Sequence, residues 1–109
     1  MIKLENYYKV LVTQLANKNQ FAVWFRNNDD VECVAFQSYR TLIAIYVRGD
    51  YFERRPDQLF INWQMWDYSK TTLKHLKIFI NELTPYHYET KAQFLKEIKN
   101  NEDIILFEE

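Results

Sequence analysis

The chain has 109 residues, 48% of them hydrophobic and 17% aromatic, with a formal net charge of −1. That length holds one domain around one core, and the hydrophobic share excludes a disordered chain. Near-neutral charge excludes a general coat for DNA or RNA, which would be strongly basic, and equally an acidic mimic of nucleic acid.

Residues 7–15 fit two templates. Leu4, Tyr7, Tyr8, Leu11, Val12 and Leu15 make a helical stripe, while the β-branched and aromatic density of the same stretch fits a strand. A turn signal at Asn17-Lys18-Asn19 favours the strand. Residues 21–26 read as a strand with Phe21, Val23 and Phe25 on one face, and the cluster Asn27-Asn28-Asp29-Asp30 makes a hairpin turn into a return strand over 31–37. Residues 41–48 are apolar on both faces, the mark of a central strand covered on both sides. If helices cover one face, a second copy of the chain is expected on the other, as a homodimer.

A polar, arginine-rich loop follows over 49–56. Gly49 is the only glycine, so Asn and Asp are expected to take the left-handed turn positions, and glycine loops that cradle phosphates are excluded. Residues 59–65 read as another strand with Leu59, Ile61, Trp63 and Met65 facing in and Asn62 and Gln64 facing water. Residues 69–83 make the clearest helix: Leu73, Leu76, Phe79, Ile80 and Leu83 form one stripe and Lys70, Lys74, Lys77 and Asn81 the opposite one. Thr84-Pro85 ends it. Thr90 and Gln93 have the spacing of a capping box for a second helix over 91–100, with Ala92, Leu95 and Ile98 as its stripe. Residues 104–107 suit a short edge strand. The sum is an α+β domain, an antiparallel meander of four to five strands followed by two helices packed on the sheet.

Three places invite a functional reading. Ser69, Lys70 and Thr71 begin a helix, where free backbone amides and the dipole favour an anion, although a plain Ser69 cap needs the same residues and Asp67 opposes an anion. Lys70, Lys74 and Lys77 share one helix face around Ile78, which suits either a solvated face or a docking patch for an acidic, partly apolar partner. Tyr51, Phe52, Arg54 and Arg55 interleave rings with guanidinium groups in one loop, a pattern for protein or nucleic-acid contact. Asp50, Glu53 and Asp57 dilute that loop, which ranks protein above nucleic acid.

His75 and His87 have no second ligand at metal spacing, so no metal and no cofactor are expected. The lone Cys33 excludes an intrachain disulfide and suits a reducing cytoplasm. It reads as a buried structural thiol, and a Cys33–His pair would be needed for hydrolytic chemistry. The first residues lack the apolar core of a signal peptide, and no apolar run reaches membrane-spanning length. A cytoplasmic protein without enzymatic activity and without a membrane partner is the expectation.

Two segments carry a resemblance. Ser38-Tyr39-Arg40-Thr41-Leu42-Ile43-Ala44 looks like a "SYxTxIA" strand, and Trp66-Asp67-Tyr68-Ser69-Lys70-Thr71-Thr72-Leu73-Lys74-His75 looks like a "YSxTTxKH" helix start. Together, across residues 36–79, they resemble small uncharacterised proteins from phages and mobile elements of Gram-positive bacteria. The resemblance implies a small α+β fold and a bacterial host cell, with no activity attached. It suggests a phage accessory protein that binds and blocks a host or phage protein, of which anti-CRISPR proteins are one kind.

Overall fold

The computed structural model describes residues 8–15, 19–27, 29–50 and 52–108. In chain order the elements are β1 (Tyr8–Gln14), β2 (Gln20–Arg26), β3 (Glu32–Ser38), β4 (Thr41–Val47), β5 (Gln58–Asn62), α1 (Lys70–Leu83), α2 (Lys91–Asn100) and β6 (Ile104–Phe107). The strands form one sheet in the order β1-β2-β3-β4-β5-β6. The first five pair antiparallel with their sequence neighbours, and β6 pairs parallel with β5. The expected α+β meander with two helices is therefore present, extended by a sixth strand parallel to the fifth. A parallel neighbour cannot be reached by a hairpin and needs a crossover; α1 and α2 are that crossover.

The strand that reads apolar on both faces is β4, and its pairing explains why. Phe36 faces Ala44 and Gln37 faces Leu42, so Ile43 is the extra residue of a bulge. Ile43 and Ala44 both join the cluster that contains α1's Leu76, Phe79 and Ile80, stacked at Phe36–Phe79 (5.7 Å between ring centres). Leu42 and Ile45 join a second cluster with Val23, Phe25, Cys33 and Ala35. The residues of that second cluster are buried within the single chain.

Turn chemistry follows expectation in part. Asn27 Oδ1 accepts from the amides of Asp29 and Val31 (2.9 and 3.0 Å), and Asp30 takes a left-handed φ of 60°. The other left-handed residues are Tyr39 (φ 56°) and Arg54 (φ 56°), neither of them an Asn or Asp. Each sits at a tight strand connection that overrides its own preference. The proposed turn residues Asn17, Lys18 and Asn28 lie outside the described residues.

The strand expected over 59–65 ends early, at Asn62. Asn62 does not face water: it is fully buried, and its Nδ2 donates to the Leu42 carbonyl (2.9 Å). Its Oδ1 accepts from Gln64 N (3.2 Å), and its carbonyl accepts from the amides of Met65 and Trp66. One side chain thus stops the strand and curls the chain, leaving Trp63 41% exposed rather than inward.

Ser69 caps α1, its Oγ accepting from Thr72 N (3.1 Å). Thr72 Oγ1 accepts from Ser69 Oγ (3.0 Å) and is hydrogen-bonded to Ser38 Oγ (2.9 Å) in the β3–β4 turn. The face of α1 that meets the sheet is shifted from the expected stripe: Thr72 and His75 are buried, while Leu73 and Leu83 are half-buried. His75 lies inward, not on a flank, with Nδ1–H donating to the Thr71 carbonyl (2.8 Å). The capping box at α2 is present, and its bounds match the expected 91–100. Its buried residue is Phe94; Ala92 and Leu95 are exposed and Ile98 half-buried. The rings of Trp66 and Tyr88, not the helical period alone, decide which side of α2 turns in.

Replacing Thr72 with Val keeps the shape and strands the buried Ser38 hydroxyl, which is expected to destabilise the fold by about 1–3 kcal/mol. Urea unfolding of the variant measures it; an unchanged midpoint would show that these hydroxyls do not hold α1 to the sheet.

Candidate functional site

The three suggested places fall in three different settings. At the junction, the Ser69 hydroxyl is taken up by the cap and by Thr72, and the Thr71 carbonyl by His75. Lys70 points to solvent. These residues build a helix cap whose hydroxyls turn inward.

In the loop after β4, Asp50 and Arg55 form a bridge with paired backbone bonds of 2.8 and 2.9 Å. Asp50 Oδ1 accepts from the amides of Phe52 (2.9 Å) and Glu53 (3.3 Å). Phe52 is 94% exposed at the tip, beside the left-handed, exposed Arg54. Tyr51 lies outside the described residues. The loop folds tightly over Gly49: a Cβ there would stand 2.6 Å from Asp57 N and 2.7 Å from the Arg55 carbonyl, closer than packed atoms tolerate. Asp57 Oδ1 accepts from Gly49 N (2.6 Å) and from the Tyr46 hydroxyl (2.8 Å). Arg55 borders a hollow of about 530 Å3 with Arg26, Arg48, Glu32 and Asp30. Its lining sets five carboxylates against three arginines, and Glu32 bridges Arg48 (2.7 Å) and Arg26 (2.9 Å). The Arg48 hydrogen bond, then the Arg26 charge, hold the Glu32 carboxyl below the usual range.

The lysine face of α1 is different. Lys70, Lys74 and Lys77 border a groove of about 280 Å3 with Leu73 on its α1 wall and Tyr88, Glu89 and Lys91 on the other. The second wall is latched to α1 by Asn81, whose Nδ2 donates to the Tyr88 carbonyl (2.8 Å) and whose Oδ1 accepts from Tyr88 N (2.9 Å). It is backed by a run of rings: Tyr88 on Phe94 (4.5 Å), Phe94 on Trp66 (5.4 Å) and Trp66 on Trp63 (6.0 Å). Lys91 is held in place from two sides, with Nζ 5.4 Å over the Trp66 ring and 2.9 Å from Asp67 Oδ2. Across the groove Lys77 pairs with Glu89 (3.6 Å), which also pairs with His87 (2.6 Å). Lys70 and Lys74 have no ion pair or hydrogen bond among the described residues. Ile78, the expected centre of the patch, is half-buried and does not border the groove, whereas Leu73 does; Phe52 and Arg55 border the separate hollow. Lys91 and Tyr88 were missed as site residues. The capping box that places Lys91 in the first turn of α2 was the available signal.

Residues 2–101 match the profile of a family of unknown function, DUF8033. The chain belongs to that family. The family match spans both walls of the groove and the whole antiparallel meander, and it stops short of β6. No curated protein and no solved structure matches the chain.

Among the described residues no group of His, Cys, Asp or Glu is placed to hold a metal ion, and no helix is long and apolar enough to cross a membrane. Cys33 lies in the cluster on the sheet face away from α1, so the sheet separates it from His75. Burial pushes the Cys33 thiol up to about 11, which keeps it protonated near neutrality.

Two outcomes follow for the groove. The Tyr88 hydroxyl is buried and has no partner among the described residues, so Tyr88→Phe is expected to raise stability by about 1 kcal/mol, read as a higher urea midpoint; a loss would reveal a partner for the hydroxyl. Glu89 is held below the usual carboxylate range, first by the His87 hydrogen bond and then by the Lys77 charge. A depressed folded value means that its pairing stabilises fully above the unfolded value and is lost as pH falls through the folded one. His87→Ala is expected to move the Glu89 titration upward, measured by carboxyl carbon NMR between neutral and acidic pH.

Proposed function

We propose that this chain is a protein-docking module that acts by occupying the surface of another protein and catalyses no reaction. The observation that carries the reading is the α1–α2 groove, where two unpaired lysines flank half-buried Leu73 between rigidly latched walls. An apolar floor with a charged rim is the usual build of a protein-contact surface. The Phe52 tip supplies a second, separate contact point. The two motif segments support an origin in a phage or mobile element of a Gram-positive bacterium. On that reading the partner is a host protein in the bacterial cytoplasm, and binding blocks it.

Nucleic acid ranks below protein for a stated reason. Glu89 lines the groove, Asp67 pairs with its Lys91, and five carboxylates stand among the three arginines of the hollow, which interrupts any basic track for a phosphate backbone.

The test is affinity capture from a bacterial host lysate by the wild-type chain and by a Lys70→Glu/Lys74→Glu variant of equal stability. A stoichiometric protein retained by the first and lost from the second is the expected result. Retention of nucleic acid alone, released steeply by rising salt, would replace this reading.

A further inference from the structure

We infer that the groove takes an acidic amphipathic helix, one that brings two carboxylates a turn apart with an apolar side chain between them. The inference rests on the docking reading and names the partner's chemistry. Four lysines ring the groove, and two already hold a carboxylate from this chain: Lys77 holds Glu89 at 3.6 Å and Lys91 holds Asp67 at 2.9 Å. Lys70 and Lys74 hold none among the described residues. They stand one turn apart on α1, a rise of about 6 Å, and their like charges oppose each other at that spacing. The first turn of α1 carries no acidic residue, so the positive end of the helix dipole adds to Lys70 instead of being offset.

The charge pattern of this wall is therefore specific. It asks for two negative groups at the Lys70–Lys74 spacing, with Leu73 beside them on the same wall. Acidic residues four apart on a second helix have that spacing by construction, and the residue between them on the same face can meet Leu73. Helix-in-groove docking of this kind places apolar anchors at such intervals. A phosphate backbone would meet the lysines too, but it offers nothing to Leu73 and is repelled by Glu89 and Asp67.

Three labelled probes test this by fluorescence anisotropy, with NMR shifts mapping the contact. One is an amphipathic helical peptide with Glu four residues apart flanking Leu; the second has Gln for both Glu; the third is oligothymidylate. The Glu peptide is expected to bind at α1, about tenfold tighter than the Gln peptide, as two exposed ion pairs warrant. Lys70→Glu/Lys74→Glu is expected to remove that advantage, and a Lys-bearing peptide to restore it on the variant. Equal binding of the Glu and Gln peptides at the groove overturns the charge inference and leaves the docking reading standing. Oligothymidylate bound at these lysines in place of any peptide overturns both. Binding of no probe, or shifts confined to other surfaces, overturns the inference alone.

Discussion

Three hydroxyls fix where everything else can be. Ser38 in the β3–β4 turn, Ser69 at the cap and Thr72 in the first turn of α1 share hydrogen bonds of 2.9 and 3.0 Å in a buried setting. Each such bond contributes only about 1 kcal/mol net, but leaving its members unpaired costs more, so the geometry is restrictive. It sets the point on the sheet where α1 starts. The rest of the helix then lays Leu76, Phe79 and Ile80 on the sheet and turns its lysines out. Buried Gln20 stands beside the contact, paired in register with Ser38. Ser38 comes from the segment 38–44, and Ser69, Thr72 and His75 from the segment 66–75, so both segments contribute to this joint of the fold.

The groove owes its walls to that joint and to a second device. Asn81 makes two hydrogen bonds to the backbone of Tyr88, imitating a backbone pairing between a helix and the segment after it. Without it, residues 86–90 would cross the end of α1 as an ordinary connection. With it, Tyr88 is pressed onto Phe94 and Lys91 is carried over Trp66. The arginine loop is built by unrelated means, a glycine approach and an Asp57 carboxylate, at the other end of α1's run, where the Tyr86 hydroxyl donates to the Asp57 carbonyl (3.1 Å). The two surfaces are thus built by different devices, and the Tyr86–Asp57 bond ties the segment that carries Tyr88 to the arginine loop.

What was legible in the sequence was local. The Ser69 cap, the Thr90–Gln93 box, the bounds of α2 and the hairpins all follow from residues close in the chain. What was not legible was decided by distant partners. The end of β5 depends on Asn62 reaching the Leu42 carbonyl, twenty positions away. The inward side of α2 depends on where two rings stand. The parallel sense of β6 is absent from any alternation pattern, because side-chain period does not record direction. At the candidate site the lysines of α1 were readable from the helical period, while Lys91 meets them through tertiary placement, and Ile78 does not border the groove because the core contact is rotated toward Thr72 and His75.

The crossover topology also orders the making of the molecule. Strands β2 to β5 each pair with the strand just before, so the meander can zip up progressively as the chain leaves the ribosome. The last pairing is of another kind: Leu59 must meet Ile104 after both helices have been synthesised. Until then the outer rim of β5 is an open row of backbone donors and acceptors, the form of edge through which unfinished chains stick to one another. The β5–β6 pairing therefore follows the synthesis of both helices, and it covers the rim of β5.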